Sequence, residues 1–199
     1  MEAALEALLA GEASFPQRAE WQALRGRLGS ALRLEVRAAL DRDDAEGALA
    51  KLASLGRLAP VAKDDALAVE AQRLSFAQHN GMVHVGKVFI DRYEHPNRAG
   101  AQPTVDVDWA DAVKLCETAG KHLCSELEWE QACRGALGAA YPWGADLEKG
   151  RCVVKDKKTK RAAAAGVKPK CVGPAGVFDL VGNVAEWTSS PLKEDAPQR

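Results

Sequence analysis

No cysteine occurs in the first 115 residues of this chain, and nowhere do two cysteines stand in a CxxC pair. The four histidines (His79, His84, His95, His122) are too scattered for a zinc-ligand spacing, which argues against a zinc finger or ribbon. No Gly-rich phosphate loop is present, so a nucleotide-binding fold of that kind is not expected. Neither sign of charge dominates: 27 basic residues face 28 acidic ones, for a formal net charge of -1. Such a balance supplies no long-range attraction to nucleic acid or to an anionic membrane surface. No apolar run approaches the roughly 20 residues that span a bilayer. The start also lacks the marks of an export signal. Glu2, Glu6 and Glu12 interrupt an Ala/Leu stretch that has no basic leader.

What the 199 residues do contain is globular: 47% hydrophobic and 28% charged, enough for one domain with an extension or for two small domains. Residues 1–80 read as helices. Ala3, Leu5, Leu8 and Leu9 begin a short apolar face. Trp21, Leu24, Leu28, Leu32, Val36 and Leu40 then recur at steps of three and four, the helical period. Leu49, Leu52 and Leu55 make a third segment, ending at Gly56 with Pro60 just beyond. Asp64 and Asp65 can cap a fourth, carrying Leu67, Val69 and Leu74 to about Gln78. No fixed-period repeat is visible, so a linker or small bundle is expected.

The texture changes at Asn80-Gly81. Met82–Val85 and Lys87–Tyr93 have the β-branched and aromatic content of strands. A Pro/Gly/Asn loop follows, from His95 to Pro103. Asp108 starts a helix carrying Trp109, Ala112, Val113 and Cys116, closed by Gly120. Ser125, with Glu128 three residues on, predicts a capping box for a helix from Glu126 to about Arg134. Beyond Gly135 loops dominate, with Trp129 and Trp143 expected as core aromatics. The Lys/Arg-rich stretch from Glu148 to Lys170 has no interleaved aromatics and reads as a solvated loop, not a nucleic-acid patch. His84 and His95 read as surface residues.

All five cysteines (Cys116, Cys124, Cys133, Cys152, Cys171) lie in the second half. Such clustering points to disulfides and to a periplasmic or extracellular setting. The count is odd and the connectivity open. Because no export signal is seen, a fragment or a misassigned start is the expectation that reconciles the two. One segment carries a chemical pattern. Asp179 and Glu186 are oxygen donors seven positions apart, with Gly182 in a turn between them. If the backbone curls, both carboxylates and the carbonyls of Gly182 and Val184 could converge on a hard cation such as calcium, which takes six to eight oxygens. From spacing alone, turn residues flanking a buried Trp187 are the plainer reading.

PTVDVDWADAVKLCETAGKHLCSELEWEQACRG (103–135), YPWG (141–144) and GVFDLVGNVAEWT (176–188) together resemble, in order and spacing, the formylglycine-generating enzyme family, also called sulfatase-modifying factors. That family shows a Val-x-Val-x-Trp-x-x-Ala segment, a Gly-Lys-Arg-Leu-Pro-Thr-Glu-x-Glu-Trp-Glu helix, a Pro-Trp-Gly loop and a Gly-Asn-Val-x-Glu-Trp segment. The likeness covers about Gly81 to Ser190. It implies an α+β, loop-rich variant of the C-type lectin fold, with helices on small twisted sheets. It also implies a structural calcium held by the side chains of Asp179 and Glu186 and the carbonyls of Gly182 and Val184. The Leu-Cys-Ser-Glu run, where Leu-Pro-Thr-Glu is usual, fits a cysteine-rich bacterial-type subgroup.

Complete family members oxidise a cysteine of a client sulfatase to formylglycine, with copper on a pair of cysteines in a segment that would follow Trp187. No such pair follows it here, and Cys116 and Cys133 match positions whose usual partners also lie there. The sequence therefore predicts three regions: helices over 1–80, an incomplete family domain over 81–190 and a polar tail over 191–199. It predicts no catalytic residue, copper only in complete members, and a non-catalytic module whose incomplete face a protein partner would cover. The alternatives are an oxidase whose missing segment is supplied elsewhere and a lectin-like binding or scaffold module.

Overall fold

The computed structural model describes residues 2–14, 19–62, 64–154 and 161–191, with 12–14 described by backbone only. The chain divides into two compact units, Met1–His79 and Asn80–Arg199. The first is built from α1 (Glu2–Ser14), α2 (Ala19–Leu40), α3 (Ala45–Leu58) and α4 (Ala66–His79). The three- and four-step leucines close its interior: Leu5, Leu8, Leu28, Leu32, Val36, Leu52, Leu55, Leu58 and Leu74 are all buried. Alanines do much of the close packing, with Ala45, Ala48, Ala68, Ala71 and Ala77 also buried. Asp44 caps α3 by accepting from the Gly47 N–H at 2.8 Å. Asp65 caps α4 through the Leu67 and Ala68 N–H groups. Helix α3 runs through Gly56 to Leu58, past the stop expected there, because Leu55 and Leu58 both gain burial by continuing. Ion pairs such as Arg33–Asp65 and Arg57 with Glu2 and Glu6 lie on its outside.

The second unit contains one antiparallel hairpin, β1 (Met82–Val85) with β2 (Val88–Asp91), in the register Val83↔Ile90 and Val85↔Val88. Alternation puts Val83, Val85 and Ile90 inward while His84 points out and meets the Phe89 ring at a tilt, centroids 5.0 Å apart. The strands are shorter than the 87–93 run suggests, since Arg92 onward turns away to meet the chain near Phe178. Helices α5 (Trp109–Thr118) and α6 (Glu126–Arg134) follow. The core is small: Val83, Val85, Ile90, Ala132, Cys133, Val177 and Leu180, with Cys124, Trp129 and Val181 packed against it. Among the described residues this hairpin is the only sheet, so the several small sheets implied by the resemblance are not seen.

Helix α6 starts on the expected capping box, Ser125 and Glu128 bonding each other's backbone. Helix α5 starts on Asp108 and half-buries one face, Ala112, Val113, Leu115 and Cys116, with no residue fully buried. From Gly135 onward, among the described residues, only the isolated bridges Tyr141↔Gly144 and Val172↔Phe178 interrupt the loops. Trp143 is not a core plug. It stacks on Tyr141 at 5.5 Å, carries the Arg151 guanidinium 4.6 Å above its ring, and donates to the Asp146 carbonyl, bracing a surface loop. Residues 155–160 of the basic stretch, and 192–199 of the polar tail, lie outside the described residues. Among the described residues no helix is long and apolar enough to cross a membrane.

Candidate functional site

The segment from Asp179 to Glu186 forms a tight loop against the end of β2. It is bent by three left-handed residues: Asp179 (φ +60°), Gly182 (φ +89°) and Asn183 (φ +53°). Asp and Asn tolerate that region better than other side chains, yet its use twice in five residues marks a constrained backbone. Gly182 is constrained twice over, because a Cβ there would run into the Val153 carbonyl. Asn183 staples the turn on three sides. Its N–H donates to the Val153 carbonyl (2.7 Å), its side-chain oxygen accepts from the Ala163 N–H (2.8 Å), and its amide donates to Glu94 (2.7 Å). The other Glu94 oxygen accepts from the Val184 N–H at 3.2 Å.

Three carboxyl groups therefore share this loop. Asp179 is 1% exposed; one of its oxygens accepts from the Gly166 N–H at 2.6 Å, and the other is buried with no partner among the described residues. Burial raises its pKa against that single bond. Burial likewise raises Glu94, opposed by its bonds from Asn183 and Val184 and helped by the Asp179 charge. Glu186 is pushed up to about 8, first by burial and then by the Glu94 charge, with Asp179 adding to it. More than a third of the Glu186 residue is open to solvent. The desolvation belongs to its carboxyl end, which lies among its acidic neighbours and the Trp129 indole. The Trp129 N–H is buried, lacks a partner at hydrogen-bond geometry, and lowers the Glu186 pKa from a distance too long or too bent to bond.

The structure thus gathers all four residues that the sequence marks for calcium onto one turn. The Gly182 and Val184 carbonyls and the free Asp179 oxygen accept no hydrogen bond among the described residues, and the Glu186 carboxyl is eased only by the Trp129 N–H and its own amide. Oxygens left unengaged beside a like-charged carboxyl suit a hard cation, and this is the fit the donor set offers. Side chains alone do not make a cage: among the described residues no three His, Cys, Asp or Glu converge for a metal. The backbone carbonyls would have to complete it. Glu94 and Asn183, which orient the loop, escape a reading by spacing because Glu94 lies 85 positions before Asp179. The left-handed Asn after a Gly was the one local signal for Asn183.

Beside the loop lies a groove of about 650 Å³, lined by Val107, Ala112, Leu115, Leu123, Val184 and Trp187 among others. Trp187 is not buried: 51% of it is exposed, and its N–H reaches the Val107 carbonyl at 2.9 Å. Trp109 answers from α5, donating to the Thr188 carbonyl at 2.9 Å. Two indoles so cross-brace the 103–109 and 184–190 segments. Of the five cysteines, Cys152 and Cys171 form a disulfide, while Cys116, Cys124 and Cys133 are free. Burial is the first cause raising each of the three free thiols, Cys124 to about 11.

Residues 64–198 match the sulfatase-modifying factor enzyme 1-like domain family. The chain is 42% identical over 98 residues to the inactive C-alpha-formylglycine-generating enzyme 2 of Bos taurus, covering 44% of this chain and 33% of that protein. It is 37% identical over 105 residues to the formylglycine-generating enzyme of Mycobacterium tuberculosis (47% and 35%). To the hercynine oxygenase of the same organism it is 33% identical over 96 residues (46% and 23%). It thus spans about a third or less of the length of these relatives. No solved structure matches the chain.

Proposed function

The chain belongs to the sulfatase-modifying factor enzyme 1-like domain family, and we propose that this span works as a cation-ordered, non-catalytic binding scaffold with a loop-rich, C-type-lectin-like arrangement. The observation that carries it is the Asp179–Glu186 loop, where a buried carboxylate oxygen has no partner and a second carboxyl is pushed up by burial and then by its acidic neighbours. Calcium is the cation this oxygen-only donor set favours, through Asp179, Glu186 and the Gly182 and Val184 carbonyls. Bound there, it supplies positive charge that ties a strained loop to the hairpin. Adding calcium to the chelated chain should raise its melting temperature. Asp179→Ala and Glu186→Ala should each abolish that rise; a rise that survives both changes would remove the site.

The relatives include proteins named as active and as inactive generators of formylglycine. The non-catalytic reading is supported by the thiols. A soft metal needs thiolates, and the described residues offer one disulfide and three free thiols whose ionisation burial makes harder. Incubation with copper, oxygen and a cysteine-bearing client peptide should therefore give no aldehyde by mass spectrometry. Aldehyde formation would favour the rival reading, an oxidase whose thiolates come from another segment.

A second reading concerns a partner, and the half-buried α5 carries it. Its residues Ala112, Leu115 and Cys116 line the groove, whose acidic members (Glu94, Asp106, Glu186) outnumber Arg161. An apolar polypeptide segment carrying a basic residue is the occupant that matches. Overlapping peptides from the unmatched part of the Bos taurus relative are suitable probes. One of them should slow amide exchange in α5; no protection by any would count against this partner.

A further inference from the structure

The Cys152–Cys171 disulfide stands where it can set the spacing of the carboxylate loop. Cys171 lends its carbonyl to the Asp179 N–H at 3.0 Å, which fixes the first carboxylate. Val153, the residue after Cys152, lends its carbonyl to the Asn183 N–H at 2.7 Å and backs directly onto Gly182. The two ends of the turn are thus held by two different strands of irregular chain. Neither strand belongs to a helix or to the hairpin. The sulfur–sulfur bond joins them with their Cα atoms 4.9 Å apart and both cysteines buried. Closing that ring makes the crosslink one of the ties that set the separation between Asp179 on one side and Gly182, Val184 and Glu186 on the other. Two further segments also touch both ends of the turn, 163–166 through Ala163 and Gly166, and 92–94 through the Arg92 carbonyl and Glu94, and the disulfide is the covalent tie among them.

We propose that the Cys152–Cys171 disulfide is a positioning element for the cation loop, so that the chain's affinity for calcium depends on the thiol–disulfide state of this pair. The proposal rests on the calcium reading above and adds a control to it. In the reduced form a dithiol supplies two electrons and two protons. The Cys152–Cys171 bond breaks, each sulfur leaves as a thiol, and the dithiol closes into its own disulfide. The two strands are then no longer tied by sulfur, the Asp179 and Asn183 amides are held less firmly by their carbonyl partners, and the spacing of the oxygens loosens. Outer contacts that orient metal ligands typically govern about 10- to 100-fold in affinity, and an effect in that range is expected.

The test uses the full chain. Calcium titration calorimetry is run on the oxidised protein, on the protein held in dithiothreitol, and on the Cys152→Ser/Cys171→Ser variant. Amide exchange is followed at Asp179 and Asn183, and at α6 to check that the fold persists. Reduction and the double variant should each weaken calcium binding by about tenfold or more. Both amides should exchange faster while α6 stays protected. Equal calcium affinity in the oxidised and reduced protein would overturn the proposal and leave the calcium reading standing. An oxidised chain that binds no calcium would overturn both, even if the two amides still respond to reduction.

Discussion

Glu186 makes the loop sensitive to pH in a definite direction. Its folded pKa, about 8, lies above the ordinary carboxylate value of 4.5, so the native state holds a proton that the unfolded chain has already lost. Stability is then greatest below the unfolded value and is lost as pH rises toward 8. In chelator, the melting temperature should fall between pH 5 and pH 8.5, and Glu186→Gln should flatten that fall. Glu94 works through hydrogen bonds. Its two oxygens accept from Asn183 and from the Val184 N–H, and bonds to charged acceptors contribute about 1.5–3 kcal/mol each. Glu94→Ala should cost about 2–4 kcal/mol in urea unfolding, with Glu94→Gln recovering part of it. Asp179 and Glu186 were legible as oxygen donors in the sequence because their seven-residue spacing is local. Glu94 was not, because its partner is reached only by folding.

Among the elements, α5 and α6 make an instructive pair. Both begin at a side-chain cap that can be read from the sequence, Asp108 for one and Ser125 with Glu128 for the other. Helix α6 then buries Ala132 and Cys133 against β1, whereas α5 is held by its ends and by Trp109. Removing the α6 cap with Ser125→Ala should therefore lower stability by about 1 kcal/mol, measurable by chemical denaturation. Burial was not legible in the same way. Ala112, Val113, Leu115 and Cys116 do share one half-buried face of α5, but a period tells which residues share a face without telling how deeply it is covered. Trp143 and Trp187 misled for a related reason. A tryptophan in a loop can satisfy its N–H on a main-chain carbonyl without entering the core, and here both do, Trp187 half exposed and Trp143 partly buried.

At the scale of the molecule, the helical unit and the loop-rich unit draw their order from different sources. Residues 1–79 rest on leucine and alanine packing at helical steps, which is why four helices could be placed from periodicity with only small shifts at their ends. Residues 80–199 rest on a seven-residue core plus a disulfide and side chain–backbone bonds between distant segments. Those depend on contacts 20 to 90 positions apart, as Asn183 with Ala163 and with Glu94 show, and no local pattern predicts them. The cysteine pairing is the plainest case: five sulfurs left it open, and only the fold selects Cys152 with Cys171. Calcium and reductant should accordingly alter amide exchange in 80–199 while leaving Leu32 and Val36 in α2 untouched. A change in α2 would mean that the loop unit's order reaches further than its own contacts.

The crossed indoles have an optical consequence. Trp109 and Trp187 are each about half exposed, and each is tethered to main chain some 80 positions away. Their ultraviolet emission should report the groove directly, shifting to longer wavelength when the brace opens to water and to shorter wavelength when something settles over the rings. Above the emission of Trp21, Trp129 and Trp143, the protein carries a native dye pair beside its groove.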